Sequence, residues 1–191
     1  NAFEELCEWH VGKLRLLHCE IADALSGRRL DTLKQCVAVD VVGGAGTSSI
    51  KDARGLSAWL RELHTDRLSG SAAEQPSAVL LTAGPAAGKT TLLSQVIVTS
   101  LEGELVPILV KVQQLQRHLL DAPDAFAAAW NWIDAFLRLE YATSAPAYYR
   151  VLRQAMVARR ALLLLDGLDE GGAKRNEIER HVSEVLAPQG H

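Results

Sequence analysis

The sequence predicts an α/β fold, a three-layer core on a parallel sheet, preceded by N-terminal helices. Three observations predict it. From residue 78 onward, apolar strand-like runs alternate with helical stretches, the order that builds parallel sheets. A Gly-Lys-Thr turn, Gly88-Lys89-Thr90, joins the first of those runs to a helix. Finally "ALLLLD", residues 161–166, is an unbroken aliphatic run closed by an acid, the pattern of a strand buried on both faces.

Ahead of that core the periodicity is helical. Phe3, Cys7, His10, Leu14, Leu17 and Ile21 recur at steps of three and four, which predicts a helix over 2–25 ended by Ser26-Gly27. A second helix is expected over 31–39, with Leu33, Cys36 and Val37 inward. "VVGGAGTSSI", residues 41–50, is Gly-rich but lacks a Gly-Lys-Ser/Thr ending, so it reads as a flexible connection. Leu56, Leu60 and Leu63 share one side of a helix over 51–64. The Ser/Ala/Gln/Pro run that follows is a linker by composition. The expected organisation is thus a helical region over 1–68, a linker over 69–77 and a core over 78–191.

Within the core, "AVLLTA" (78–83) is a short strand, and a helix follows over 89–101. "LVPILVKV" (105–112) is a second strand, with Pro107 marking an edge or an irregular start. Helices are expected over 113–120, 124–140 and 146–159, the last with Pro146 in its first turn, where proline is welcome. The third strand runs into "DGLDEGG", and a final helix covers 175–186.

The chemistry concentrates at two places. Backbone N–H groups bent around an anion at the mouth of a helix bind phosphate, and the usual spacing is Gly, four residues, Gly, Lys, then Ser or Thr. Here that frame runs Ala83-Gly84-Pro85-Ala86-Ala87-Gly88-Lys89-Thr90, with Thr91 following. Gly88 stands where a side chain would collide with phosphate. Lys89 supplies a cation for the β- and γ-phosphates, and the Thr90 hydroxyl can ligate Mg²⁺. Ala83 and Ala86 replace glycines; a non-Gly residue at positive φ costs about 1–2 kcal/mol, which weakens such a loop without abolishing it. The second place is Asp166, at the carboxyl end of its strand, where it can hold Mg²⁺ directly or through water.

Composition bounds the remainder. The chain has 191 residues, 48% hydrophobic and 23% charged, with a formal net charge of −3. That charge gives no electrostatic case for nucleic acid or an anionic membrane. No apolar run approaches the roughly 20 residues of a membrane span. Three cysteines without framework spacing predict a reduced, cytoplasmic setting. Cys7, His10, His18 and Cys19 lie along one helix with no second ligand cluster, so packing is expected of them rather than zinc. Trp130 and Trp132 stand two apart on an expected helix and cannot share a face, so at least one is core. A guanine nucleotide calls for an Asn-Lys-x-Asp motif, which the sequence lacks, so ATP is preferred by elimination. The chain begins at Asn1 rather than Met and stops soon after the acidic motif, so a piece of something longer is expected.

Together, "GPAAGKTTLL", the intervening "LVPILVKVQQL" and "DGLDE" after an aliphatic strand resemble the NACHT group of the STAND-class P-loop NTPases, over roughly residues 77–186. The resemblance implies a P-loop NTPase core and an ATP/ADP-dependent switch with slow Mg²⁺-dependent hydrolysis, whose nucleotide state governs domain packing and self-association. Its partners would be the nucleotide and other domains of the same chain beyond residue 191. Lys89 and Thr90 would bind phosphates and Mg²⁺, Asp166 would be the Mg²⁺ aspartate, and Asp169 and Glu170 match the family's trailing acids, which position water. In that class a sensor strand lies between the strand of the phosphate loop and the strand of Asp166. The chain stops after the helix leading into it, so the core is expected to be incomplete at its C-terminal end. Two other readings stand beside this one: a module that holds nucleotide without hydrolysing it, and an AAA-type mechanical ATPase. The latter usually places Glu directly after the Mg²⁺ aspartate, where this chain has Gly167.

Overall fold

The structure, a computed structural model, describes residues 2–23, 26–36, 50–70, 78–82, 84, 87–170 and 172–190. It is mixed α/β, and it divides into two compact units: residues 9–75 with 80–105, and residues 1–8, 76–79 and 106–191. Among the described residues no helix is long and apolar enough to cross a membrane.

The unit holding residues 9–75 and 80–105 carries most of helix α1 (Ala2–His18), strands β1 (Glu20–Ala22) and β2 (Arg29–Asp31), and helices α2 (Ala53–Leu68) and α3 (Lys89–Ser100). The helix predicted over 2–25 therefore stops at His18. Beyond it the chain forms a hairpin, Ile21 opposite Leu30, closed by a turn in which Asp23 Oδ2 accepts from the Ser26 N–H at 2.9 Å. Ser-Gly is turn chemistry that serves a hairpin as well as a helix stop, and β-branched Ile21 suits a strand. The helix expected over 31–39 is also overturned within the described residues. Asp31 ends β2, and its Oδ1 accepts from the N–H groups of Leu33 and Lys34, both at 2.9 Å, which caps a single turn. Residues 37–49 and 71–77, with the Gly-rich connection and most of the linker, lie outside the described residues.

Helix α2 starts where Asp52 accepts from the Gly55 N–H at 2.7 Å, an N-cap that satisfies an otherwise orphaned donor. It packs on α3 through Leu56 and Ser57 against Val96, Ile97 and Thr99, all buried. The buried face of α3 is part polar, and two of its side chains reach the segment around the hairpin. Ser94 Oγ pairs with His18 Nδ1 at 3.1 Å, and Gln95 Nε2 donates to the Thr32 carbonyl at 2.9 Å. The Thr32 hydroxyl in turn donates to the His18 carbonyl at 2.6 Å. These bonds hold the hairpin to α3.

The other unit is organised by strands β3 (Val106–Lys111) and β4 (Ala161–Asp166), which run parallel with Val106 opposite Ala161 and Lys111 opposite Asp166. The Val106 N–H donates to the Arg160 carbonyl at 2.7 Å, so the next position along β3 faces away from β4. Pro107 sits there, so its missing donor costs no bond of the β3–β4 ladder. Two strands are all that the parallel sheet contains among the described residues, so a complete three-layer core is not seen among them. Residues 78–82, the described part of the strand predicted over 78–83, form none: no strand among the described residues pairs with them, and Val79 and Leu80 are 39% and 72% exposed. A lone extended segment has no ladder to hold it.

Helices α4 (Val112–Asp121), α5 (Pro123–Ala127), α6 (Trp132–Tyr141), α7 (Pro146–Val157) and α8 (Arg175–His181) cover this pair. Ile108, Val110, Ile133, Phe136, Leu152, Met156 and Ile178 are the centre of its core. The single helix predicted over 124–140 is broken, because Asn131 accepts from the Asp134 N–H at 2.8 Å and begins α6 anew. Trp130 falls in the break and is 42% exposed, whereas Trp132 packs against the core. Helix α7 ends in a Schellman motif: the Arg160 N–H donates to the Ala155 carbonyl at 2.8 Å and the Arg159 N–H to the Met156 carbonyl at 3.0 Å. Arg159 occupies the left-handed position at φ +55° that glycine usually fills. Arg159→Gly should therefore raise stability by about 0.5–1 kcal/mol, the relief of left-handed strain less the entropy glycine adds to the unfolded chain. A denaturation midpoint equal to or below wild type would refute this.

The helix predicted over 175–186 is α-helical only to His181, then widens into a π turn, Val182–Leu186, and ends in the short turn α9 (Ala187–Gln189). The wider turn brings His181 and Gln189 onto one face. His181 stacks on Trp132, with ring centroids 4.3 Å apart, and its Nε2 accepts from the Trp132 N–H at 3.1 Å, while Asn131 Nδ2 donates to Gln189 Oε1 at 2.7 Å. Burial holds His181 neutral and lowers its pKa from 6.5 to about 4. Between those values the unfolded chain binds the extra proton, so stability is full above pH 6.5 and falls as pH drops towards 4. After discounting for solvent access, the loss should be about 1–2 kcal/mol. His181→Phe keeps the stacking and cannot titrate, so its stability should fall less over the same window. Parallel pH profiles for the two proteins would count against it.

Candidate functional site

The phosphate-loop half of the site lies in the unit with α2 and α3. Gly88 is the N-cap of α3 and adopts φ +81°, ψ 21°, a left-handed conformation that glycine takes without strain. Its carbonyl accepts the first helical bond, from the Leu92 N–H at 2.8 Å. No side chain caps α3, and its first turn is Lys89-Thr90-Thr91, without an acid. The positive end of the helix dipole thus carries no acid in its own first turn. Ala87, Gly88, Lys89, Thr90 and Thr91 line an open cleft of about 270 Å³. The Ala87 N–H donates to the Gly84 carbonyl at 3.3 Å, bending the approach to the helix. Gly84 is exposed, and a Cβ there would meet nothing within 4 Å. Ala83, Pro85 and Ala86 lie outside the described residues.

The acidic half lies in the unit with β3 and β4. Asp166 closes β4, half-buried, opposite Lys111 in the register. Gly167 follows at φ +78° and turns the chain into a 3₁₀ turn, Leu168–Glu170. Where a glutamate could have followed the aspartate, the backbone is left-handed, a conformation that a glutamate would occupy only under strain. Leu168 packs against the core, and Asp169 is exposed on the turn next to it. Asp169 lies close enough to Arg175 to favour its charge, although the larger influence on Arg175 is its bond to Glu179 Oε1 at 2.8 Å.

Gly84, Ala87, Gly88, Lys89, Thr90 and Thr91 thus fall in one unit, and Asp166, Asp169 and Glu170 in the other. Among the described residues no group of three or more His, Cys, Asp or Glu side chains converges as a metal site would require. Thr90 and Asp166, each within its own unit, carry oxygen donors of the kind Mg²⁺ takes, and this ion commonly fills the rest of its shell with phosphate oxygens and water. Beside the acidic turn the Gln116 carboxamide lies close to Gly172, and no sequence motif marks that pair.

No protein-family model matches the chain, and no curated protein or solved structure is significantly similar to it.

Proposed function

We propose that this chain is the nucleotide-binding part of an ATP/ADP-dependent molecular switch of the NACHT type, with slow Mg²⁺-dependent hydrolysis. The observation that carries the reading is Gly88: a left-handed glycine at the uncapped mouth of α3, with Lys89, Thr90 and Thr91 in the first turn. That combination is what an anion-binding loop at a helix N-terminus requires. Lys89 would take the β- and γ-phosphates, Thr90 and Asp166 the Mg²⁺, and the backbone of residues 83–91 the phosphate oxygens. The Mg²⁺ would neutralise phosphate charge as transfer proceeds. Asp169 and Glu170 are the acids available to orient water.

Gly167 favours slow chemistry. It moves the nearest acids onto the 3₁₀ turn, away from the strand end, and water activation depends on geometry. The same feature supports the second reading, a module that holds nucleotide without hydrolysing it. It disfavours the AAA-type mechanical ATPase, which usually carries Glu at that position.

The test is calorimetry with ATP, ADP and GTP, with and without Mg²⁺. Adenine nucleotides should bind and GTP should bind more weakly. Asp166→Ala should remove the gain in ATP affinity that Mg²⁺ confers and leave Mg²⁺-free binding unchanged. Absence of binding by the unaltered chain would refute the proposal. Binding without turnover would select the nucleotide-holding module.

A further inference from the structure

We propose that the outward face of α1 is a self-docking surface: two copies of the chain pair through it, antiparallel, with Gly12 close to the two-fold axis. This pairing does not rest on the nucleotide reading.

A helix on the surface of a fold buries one stripe and turns a polar one to water. In α1 the buried stripe holds His10 and Leu14. The opposite stripe is not simply polar. Glu5, Trp9, Gly12 and Leu16 fall on it by helical spacing, and all four are exposed, Trp9 by 49% and Leu16 by 77%. A Cβ added to Gly12 would meet nothing within 4 Å, so the backbone between the two apolar side chains is bare. Lys13 Nζ lies 5.2 Å from the centroid of the Trp9 ring and steadies it from one flank. Two apolar ridges with a glycine between them offer a second helix a close approach.

Charge selects the occupant. On the flank opposite Lys13 stand Glu8 and Arg15, both exposed, and neither makes an ion pair among the described residues. Because α1 is one continuous helix, its own geometry fixes their spacing, two turns apart on nearly the same bearing. Two copies laid antiparallel about a point between Val11 and Gly12 bring each Glu8 level with the other copy's Arg15. Trp9 of one copy then lies about 3 Å along the axis from Leu16 of the other, close enough to pack. Glu5 falls level with the other copy's His18, in the basic last turn. Laid parallel and in register, the copies would instead set Glu8 against Glu8 and Arg15 against Arg15. The antiparallel arrangement is isologous and closes at two. Glu5 and Glu8 on this face oppose an anionic membrane as the occupant.

A single helix face is a small interface, so the dimer should form at protein concentrations on the order of 10–100 μM. Sedimentation velocity of the full chain from about 1 to 200 μM reads it, and the unaltered chain should pass from monomer to dimer and go no further. Leu16→Glu should remain monomeric throughout. Leu16 is exposed, so its replacement should leave the denaturant midpoint of the dilute monomer unchanged. Glu8→Arg and Arg15→Glu should each weaken pairing about tenfold, and the double variant should regain it, since the pair is then reversed but intact. A chain that is monomeric over the whole range overturns the proposal, as does a dimer that Leu16→Glu leaves in place. Charge reversals whose losses add in the double variant overturn the antiparallel arrangement. A monomer that binds phosphatidylserine vesicles, and loses that binding in Leu16→Glu, would assign the face to a membrane surface instead.

Discussion

Phe136→Ala should cost about 3–5 kcal/mol, a large share of the roughly 5–15 kcal/mol that holds a domain folded. Phe136 is 4% exposed at the centre of the core around β3 and β4, and it meets the His118 ring edge-on, centroids 5.6 Å apart. His118 is bonded through Nε2 to Glu140 Oε1 at 2.6 Å, tying α4 to α6 across the same spot. Truncation therefore removes the transfer free energy of the ring and leaves a cavity in a region that a polar link keeps from collapsing inward. Leu139→Ala is the control. It lies on the same helix, 40% exposed, and should shift stability by no more than about 0.5 kcal/mol. Urea titrations of both variants, followed by tryptophan fluorescence, read the difference. Equal losses would mean that this core does not carry the fold.

Where local pattern and tertiary demand agree, the sequence was legible. The aliphatic run before Asp166 could be little but a buried strand, and Lys89–Ser100 follows a glycine in a frame that only a helix mouth explains. Elsewhere a local signal was right and its scale wrong. Asp31 does cap a turn, but only one, since the segment before it is committed to pairing with residues 20–22. Asn131 is a strong N-cap that could have divided the long helix in advance; the apolar periodicity on either side of it masked the break. Residues 78–82 show the opposite limit, because an apolar run becomes a strand only when a ladder partner stands beside it.

The candidate site divides the same way. Gly88 reads from sequence as the position where a side chain would collide with phosphate, and the structure adds a backbone reason, a left-handed conformation at the mouth of α3. Gly167 reads from sequence as a missing glutamate. The structure gives it a positive reason, a left-handed turn that swings Leu168 into the core and leaves Asp169 outside. The contact between Gln116 and Gly172 joins residues far apart in the chain and has no periodicity, so nothing local could have signalled it.

Lys89→Ala should abolish most of the affinity for ATP. Lys89 is the first residue of α3, in the cleft with Thr90 and Thr91, and no other basic residue lines that cleft. A charge-assisted bond from its ammonium to phosphate is worth about 1.5–3 kcal/mol. Losing it converts to roughly 10- to 150-fold weaker binding. The backbone N–H groups of the loop remain in the variant, so residual binding should persist and should weaken further as salt rises. Lys34→Ala, which removes an exposed lysine paired with Asp31, should leave affinity unchanged. Isothermal calorimetry of the three proteins with Mg·ATP decides the matter. If Lys89→Ala binds within twofold of wild type, ATP is not held through this loop, and the assignment of Thr90 and Asp166 to its Mg²⁺ falls with it.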